Sequence, residues 1–400
     1  MTANDLSAFT PEIWAKRMQI YRSKKMVAMA TANVELKADL YIGDTAHKPY
    51  PQSLKDDDYT KGSDVDPQDV APVDESLVVD QAKVVPTYVD DLDKVQNKWD
   101  AAAVNADIAQ KRLNGRMDGA VQDQYSNAAS SLDDGDVAGT AGNYIALTTS
   151  NIGPLFTSAS AKLDYWDVDD NKRAVMLPPR AVQKLKDLLS NKDTNFGDEV
   201  GRNGYIGKWG GFKCYKNNHA PFSASLNISV IPTADDTITI AGVVLTAVAN
   251  GTAASAGEFS IGVSATAAID NIVLLINGTG TPGLTTYIDV SADDREKLRR
   301  VFVAATDADP AITIAGYGEV VVSQDFTAGA NIWSLQRQHF LFLEEGAIDL
   351  VVQLMPRVQF NQAQLRAGKF MLALTLYGIK AFKQGTRALI DTRIDASDWT

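Results

Sequence analysis

The stretch whose reading decides the fold is 174-AVMLPPRAVQKLKDLLSNKDTNFGDEVGRNGYIGKWGGFKCYKNNHAP-221. Residues 174–177 form a short apolar run that reads as a strand. Pro178 and Pro179 then open a helix, since proline is tolerated in a first helical turn. Val182, Leu185, Leu188 and Leu189 give that helix one apolar face. A Gly-rich loop leads to a second strand, where Phe212, Cys214 and Lys216 alternate, and the segment closes on Asn217-Asn218-His219-Ala220-Pro221. Its polar residues form no catalytic set, so the segment reads as architecture.

Towards the N-terminus, Leu92, Val95, Trp99, Ala102, Ala106, Ala109, Leu113, Val121 and Tyr125 trace an apolar stripe at helical spacing over 90–126, broken only by Arg116. Asp90, Asp91 and Asp93 favour its N-terminal dipole, while Gly115 and Gly119 predict a bend or an end. Thr10-Pro11 predicts a first helix, and alternation from Val34 to Ile42 predicts a half-buried strand. Between them and the long helix, residues 43–89 read as a two-stranded excursion with a polar tip, which buries little surface alone and is expected to be ordered by a neighbouring subunit. A second helix is expected near Pro154, with Leu155, Ala159 and Leu163 on one face.

Residues 223–330 differ in style, being rich in Ala, Thr, Gly, Ile and Val, with no Trp and with all four bases inside Arg295–Arg300. Ile-Thr-Ile-Ala-Gly occurs at both 238–242 and 312–316. Ser264 to Asn277 predicts a helix, with Ile269, Ile272, Val273 and Ile276 inward and Gly278 at its end. The region reads as an inserted, mostly β domain, and without it about 290 residues remain, enough for a complete fold. After it, 340–342, 348–354 and 369–382 return to long strands, with β character continuing at Leu389-Ile390.

The chain's 400 residues suggest two or three domains, and 45% apolar with 22% charged residues is an ordinary soluble composition. No apolar run approaches the ~20 residues that span a bilayer, and the N-terminus lacks a signal-peptide pattern. A lone Cys214 excludes an internal disulfide, so a reducing cytoplasm is expected. A net charge of −12 argues against sequence-specific nucleic-acid binding. The charge is uneven: residues 1–30 carry Lys16, Arg17, Arg22, Lys24 and Lys25 against two acids, whereas 39–80 carry eleven acids, including Asp56, Asp57 and Asp58, against three lysines. We expect these two surfaces to meet, in one chain or between neighbours.

Catalytic and metal chemistry find little support. His47, His219 and His339 lie in separate segments without a metal-ligand pattern. Asp167, Asp169 and Asn171 begin like a calcium loop, but Lys172 and Pro178 stand where its Gly and Glu belong. Gly201, Gly204, Gly207, Gly210 and Gly211 lack the Gly-Lys-Ser/Thr ending of a phosphate loop and read as turn glycines. Cys214 reads as a structural thiol. No enzyme, metal or cofactor is expected.

The segment 203–221 resembles the Gly-x-Ile-Gly-x-x-x-Gly-Phe-x-x-Tyr-x-Ser-Asn pattern of tailed-bacteriophage major capsid proteins, with Asn217 in place of Ser. Leu376-Tyr377-Gly378-Ile379-Lys380 is similar to that family's closing Tyr-Gly-x-Lys strand. The resemblance covers everything outside 223–330. It implies an α+β chain of the Hong Kong 97-type capsid fold: arm and first strand 1–42, extended loop 43–89, spine helix with peripheral and first axial parts 90–222, inserted β-rich domain 223–330, and the remaining axial and peripheral parts 331–400. It also implies a virion protein, assembled in the host cytoplasm, that builds hexamers and pentamers of an icosahedral head around double-stranded DNA. The partners implied are scaffolding and portal proteins, with a possible decoration protein and no membrane. The family's Lys–Asn crosslink has no marker here, and Lys48, Lys55 and Lys61 read as surface charges. Two alternatives stay open: an encapsulin-like shell, and a surface- or glycan-binding protein using Tyr287 and Tyr317 of the inserted domain to stack on a sugar.

Overall fold

The computed structural model describes residues 21–24, 26–40, 43–65, 67–90, 101–190, 207–362 and 368–397. The expected first helix at Thr10-Pro11, the acids Asp91 and Asp93, and the glycines Gly201 and Gly204 lie outside these residues.

After the arm come two short helices, α1 (Ala28–Thr31) and α2 (Leu36–Asp39). The second corrects the expected strand at 34–42. Val34 is exposed while Leu40 is buried, and Leu36 and Leu40 lie a helical i, i+4 apart. The Asn33 side chain also accepts from the Glu35 amide at 3.1 Å, a turn that starts the helix. The chain then runs out through β1 (Thr45–His47), back through β2 (Ser76–Val78), and onward as β3 (Gln81–Asp90).

The long helix α3 (Ala101–Gln122) follows, then β4 (Ser130–Leu132), α4 (Ile152–Asp164), β5 (Arg173–Leu177) and α5 (Pro179–Ser190). Ala109, Leu113, Met117 and Val121 of α3 are buried at four-residue steps. Leu113, Met117 and Val121 each contribute roughly 1.5–3 kcal/mol by leaving water. Gly115 and Gly119 do not bend or end α3. They give it a face without side chains, and a Cβ on Gly119 would stand 2.8 Å from the Tyr317 ring. Close packing explains them, and the helix continues through both.

Next come β6 (Lys208–Trp209), β7 (Phe212–Lys216), β8 (Pro221–Asn227), β9 (Thr237–Ile240), β10 (Val243–Val248) and β11 (Glu258–Ser260). Trp209 pairs with Phe212 across Gly210-Gly211, both at positive φ, which is the two-residue hairpin that glycines permit. The helices α6 (Ala265–Asn277) and α7 (Ala292–Arg300) precede β12 (Ala304–Ala308), β13 (Ala311–Tyr317), β14 (Val322–Asp325), β15 (Ile332–Glu344), β16 (Asp349–Gln362) and β17 (Gly368–Lys380). A short α8 (Lys383–Arg387) and β18 (Leu389–Asp395) complete the described chain.

A nine-stranded sheet, ordered β12-β13-β8-β15-β5-β7-β6 with β18 beside β15 and β4 beside β18, carries the main core. A three-stranded sheet β16-β17-β3 packs on α3 through Met371 and Ala373 against Ala109 and Leu113. A four-stranded sheet β11-β10-β9-β14 sits beside α6. The stretch 223–330 divides between two of these sheets: β8, β12 and β13 belong to the large one, and position 223 falls inside β8. The two Ile-Thr-Ile-Ala-Gly copies also separate. The first ends β9 at a turn with Ala241 and Gly242 at positive φ, while the second continues straight through β13.

Candidate assembly surfaces

The excursion between β1 and β2 leaves as a hairpin. Thr45 pairs with Val78 and Tyr50 with Val73 through the backbone, and farther out the Gln68 side chain accepts from the Lys55 amide at 2.9 Å, five residues on along each limb. A turn at its tip is closed by the Ser63 amide donating to the Thr60 carbonyl at 3.0 Å. A limb of this length reaches on the order of 50 Å at ~3.3 Å per residue. A compact chain of this size has a radius of gyration of only about 21 Å. Along the described part of 51–72 almost every residue is exposed, including Leu54, Tyr59 and Val65, each more than 60% accessible. No other described residue buries these side chains.

The root of the hairpin, in contrast, is fixed at several points. Asp349 at the start of β16 is buried and accepts from Lys48 Nζ at 3.1 Å and Asn33 Nδ2 at 2.8 Å. Burial raises the Asp349 carboxyl above its ordinary range, although the Lys48 ammonium and the Asn33 amide pull it down. Lys380 Nζ donates to the Ser76 carbonyl at 2.7 Å, and the Lys383 amide donates to Glu75 at 2.9 Å. Gly378 lets the root cross close to β17, since a Cβ there would meet the Val78 carbonyl oxygen at 2.6 Å. The Tyr-Gly-x-Lys run therefore acts as a seat for the loop: glycine for approach, lysine for a tie.

The arm is clasped by a second site. Asp118, fully buried on α3, accepts from the Val27 amide at 2.9 Å and the Met29 amide at 3.2 Å through one oxygen. Its other oxygen meets His219 Nδ1 at 2.8 Å. The Asn217 side chain accepts from the His219 amide at 2.8 Å, so the Asn-Asn-His run presents the imidazole to Asp118. Four residues before the first of these amides, Ser23 leads into Lys24, whose ammonium donates to the Tyr317 carbonyl at 2.7 Å. Burial, and then the Arg300 charge, bring the Lys24 pKa down to about 8.

No family model and no curated protein matches this sequence. Solved structures do. A chain from Mycobacterium phage Che8 superposes with a TM-score of 0.59 over 96% of each chain at 15% identity. The capsid of cyanophage P-SCSP1u matches with a TM-score of 0.54 at 13% identity, over 98% of this chain and 94% of that one.

The chain has a phage capsid fold.

In this capsid fold the residues expected to mediate contacts are dispersed. Asp56, Asp57 and Asp58 stand exposed on the outgoing limb of the hairpin, and Asp57 pairs with Lys55 beside it. Arg22 is exposed on the arm, whereas Lys24 is occupied within its own chain. Lys16, Arg17 and Lys25 lie outside the described residues. Lys48, read as a surface charge, is half exposed but bound to Asp349. The sugar-stacking alternative loses both of its rings. Tyr287 and Tyr317 are buried, their hydroxyls donating to the Thr279 carbonyl and to Asp123.

All three histidines of the capsid fold meet an aspartate through Nδ1: His47 with Asp74 at 2.7 Å, His219 with Asp118, and His339 with Asp391 at 2.9 Å. His339 also stacks on Tyr125 with centroids 4.1 Å apart. These pairs join distant segments. Cys214 is a thiol that burial pushes up to about 12, far from a thiolate at neutral pH. The Asp169 side chain accepts from the Asn171 amide at 3.0 Å, which makes that acidic run a turn. Arg173 behind it is buried and bound to Asp164 at 2.6 Å and Asp170 at 2.8 Å. Among the described residues, no group of three or more His, Cys, Asp or Glu is placed to hold a metal, and no helix is long and apolar enough to cross a membrane.

Asp118 and Asp349 are the two residues that sequence reasoning missed. Asp118 had a faint signal, an acid between Met117 and Val121 on the buried end of a long helix. Asp349 had none, because its partners lie about 300 residues away in sequence.

Proposed function

We propose that this chain is the major shell subunit of a phage head. It self-assembles into hexamers and pentamers that close around double-stranded DNA, with scaffolding and portal proteins as further partners, in the cytoplasm of the host. On this reading its role is structural and non-enzymatic. The observation that carries the reading is the hairpin 43–89. It is tied at its root and exposed over the described residues of its outer half, with apolar side chains that the other described residues leave uncovered. A monomer gains little from such an element, whereas a neighbouring subunit beneath it would bury Leu54, Tyr59 and Val65. The arm 1–42, the spine region 90–222 and the C-terminal part 331–400 form the tile in this scheme. Residues 223–330 are proposed as the inserted region, tied to the tile by the strands it lends to the large sheet.

Replacing 51–72 by a short Gly-Ser turn tests this. The truncated chain should keep the wild-type circular dichroism spectrum and elute as a small species without shells. Normal shells from the truncated chain would remove the main support for the proposal.

A further inference from the structure

One pocket gathers positive charge from three separate parts of a chain whose formal net charge is −12. The arm supplies Arg22 and Lys24, α3 supplies Lys111 and Arg112, and the end of α7 supplies Arg299 and Arg300. Among the described residues, no carboxylate lines it. Lys111 is satisfied by Asp107 at 2.5 Å. Lys24 and Arg112 instead use backbone carbonyls, those of Tyr317 and of Arg299 at 2.7 and 2.8 Å, and Arg112 also lies over the Phe302 ring at 4.7 Å. Among the described residues, Arg22, Arg299 and Arg300 make no ion pair. Burial lowers the Arg112 pKa as well; Tyr21 opposes that shift, and the Arg299 and Arg116 charges add to it, so these cations destabilise one another.

The floor of the pocket has a polar group facing it. His219 is 2% exposed, its Nδ1 is held by Asp118, and its Nε2 lies towards Gly115. A Cβ on Gly115 would sit 3.3 Å from that Nε2 and narrow the space. The result is a concave site with several guanidinium and ammonium donors around one buried imidazole.

We propose that this pocket binds a phosphate group. A tetrahedral oxyanion offers more than two acceptor oxygens and up to two charges, which matches several forked donors around one point. A carboxylate is planar and satisfies one fork. The acidic hairpin of a second copy is the weaker fit for a further reason, since Asp57 is already paired with Lys55 in its own loop. The phosphate can come from a nucleic-acid backbone or from free inorganic phosphate. The described lining comes from one chain, so the proposal does not rest on the shell reading.

The test uses the full-length protein, separated by size exclusion into assembled and unassembled fractions. Acylation of individual lysines is followed by mass spectrometry in inorganic phosphate, in a single-stranded oligonucleotide, and in chloride at matched ionic strength. Phosphate should protect Lys24 in both fractions and leave the exposed Lys208 and Lys216 unchanged. Binding of a labelled oligonucleotide and of phosphate should fall about a hundredfold in Arg299→Gln/Arg300→Gln, which removes two charge-assisted donors. It should stay at the wild-type value in Lys208→Gln/Lys216→Gln. Protection by both ligands points to nucleic acid as a source; protection by phosphate with no oligonucleotide binding points to free phosphate. Absence of Lys24 protection by either ligand in the wild type overturns the proposal, even where the arginine variant fails to fold. Lys24 protection confined to assembled material and abolished by Asp56→Asn/Asp57→Asn/Asp58→Asn also overturns it, and assigns the pocket to a neighbour's hairpin.

Discussion

Replacing Asp118 by Ala should release the arm. The carboxylate is fully buried and accepts three hydrogen bonds, from the Val27 and Met29 amides and from His219. Hydrogen bonds to a charged group contribute about 1.5–3 kcal/mol each, but three bonds to one carboxylate are not additive. Breaking a buried pair by removing one partner costs about 3–5 kcal/mol, and that is the range expected here. At 1.4 kcal/mol per tenfold, the arm would then be undocked about a hundredfold or more often. Limited trypsin digestion reads this directly at Lys24, just before the clasp, because its ammonium is held on the Tyr317 carbonyl while the segment is docked. Asp118→Ala should therefore be cut there about a hundredfold faster than wild type. Asp118→Asn keeps an acceptor for the two amides but sets an amide against His219, so its effect should be intermediate, about 1–2 kcal/mol. Wild-type cleavage rates in Asp118→Ala, with urea stability unchanged within about 0.5 kcal/mol, would refute the clasp.

Two further outcomes follow from the same geometry. Gly378→Ala places a Cβ 2.6 Å from the Val78 carbonyl and 3.0 Å from Val79 Cα, so backbone must shift; urea unfolding should show a loss of about 1–3 kcal/mol, and a change within error would show that the loop root is not seated there. Lys24 holds its proton less tightly folded, near pH 8, than unfolded, near pH 10.5, so the unfolded chain binds more protons between those values and stability gains as pH rises through that window. The stability of wild type relative to Lys24→Met should accordingly improve between pH 7.5 and pH 10 in paired urea titrations, and a flat difference would remove the buried-lysine argument.

Local signals in the sequence were those whose partners lie nearby. The helix over 265–277 was legible because Ser264 caps the Ala267 amide and Gly278 takes the left-handed conformation at its end. Leu155, Ala159 and Leu163 likewise mark α4 by spacing alone. The alternation at 34–42 misled because period-2 and period-4 patterns coincide over so short a run; Leu40 is inward in both, and the exposure of Val34 separates them. Gly115 and Gly119 were read through propensity, which costs the helix a little, while the packing of Tyr317 and His219 against them is long-range and invisible in sequence. The composition changes near 223, while Phe222, Ala224 and Leu226 continue one buried face of β8 across that position, a continuity set by strand pairing that composition does not show. The excursion was recognisable from its polarity, but its register was not, because exposed limbs carry no hydrophobic pattern to set one. Asn277 shows both sides of the matter. Its place before a helix-ending glycine was readable, whereas its paired hydrogen bonds to the Ala305 backbone, at 2.8 and 2.9 Å, were not.

The most direct test of the shell reading is electron microscopy of the purified wild-type protein after size exclusion, across low and high salt and with co-expressed scaffold. Closed shells, or rings of five and six subunits, are the predicted result. A uniform monomer or dimer under every one of these conditions would contradict the proposal that this chain is a shell subunit.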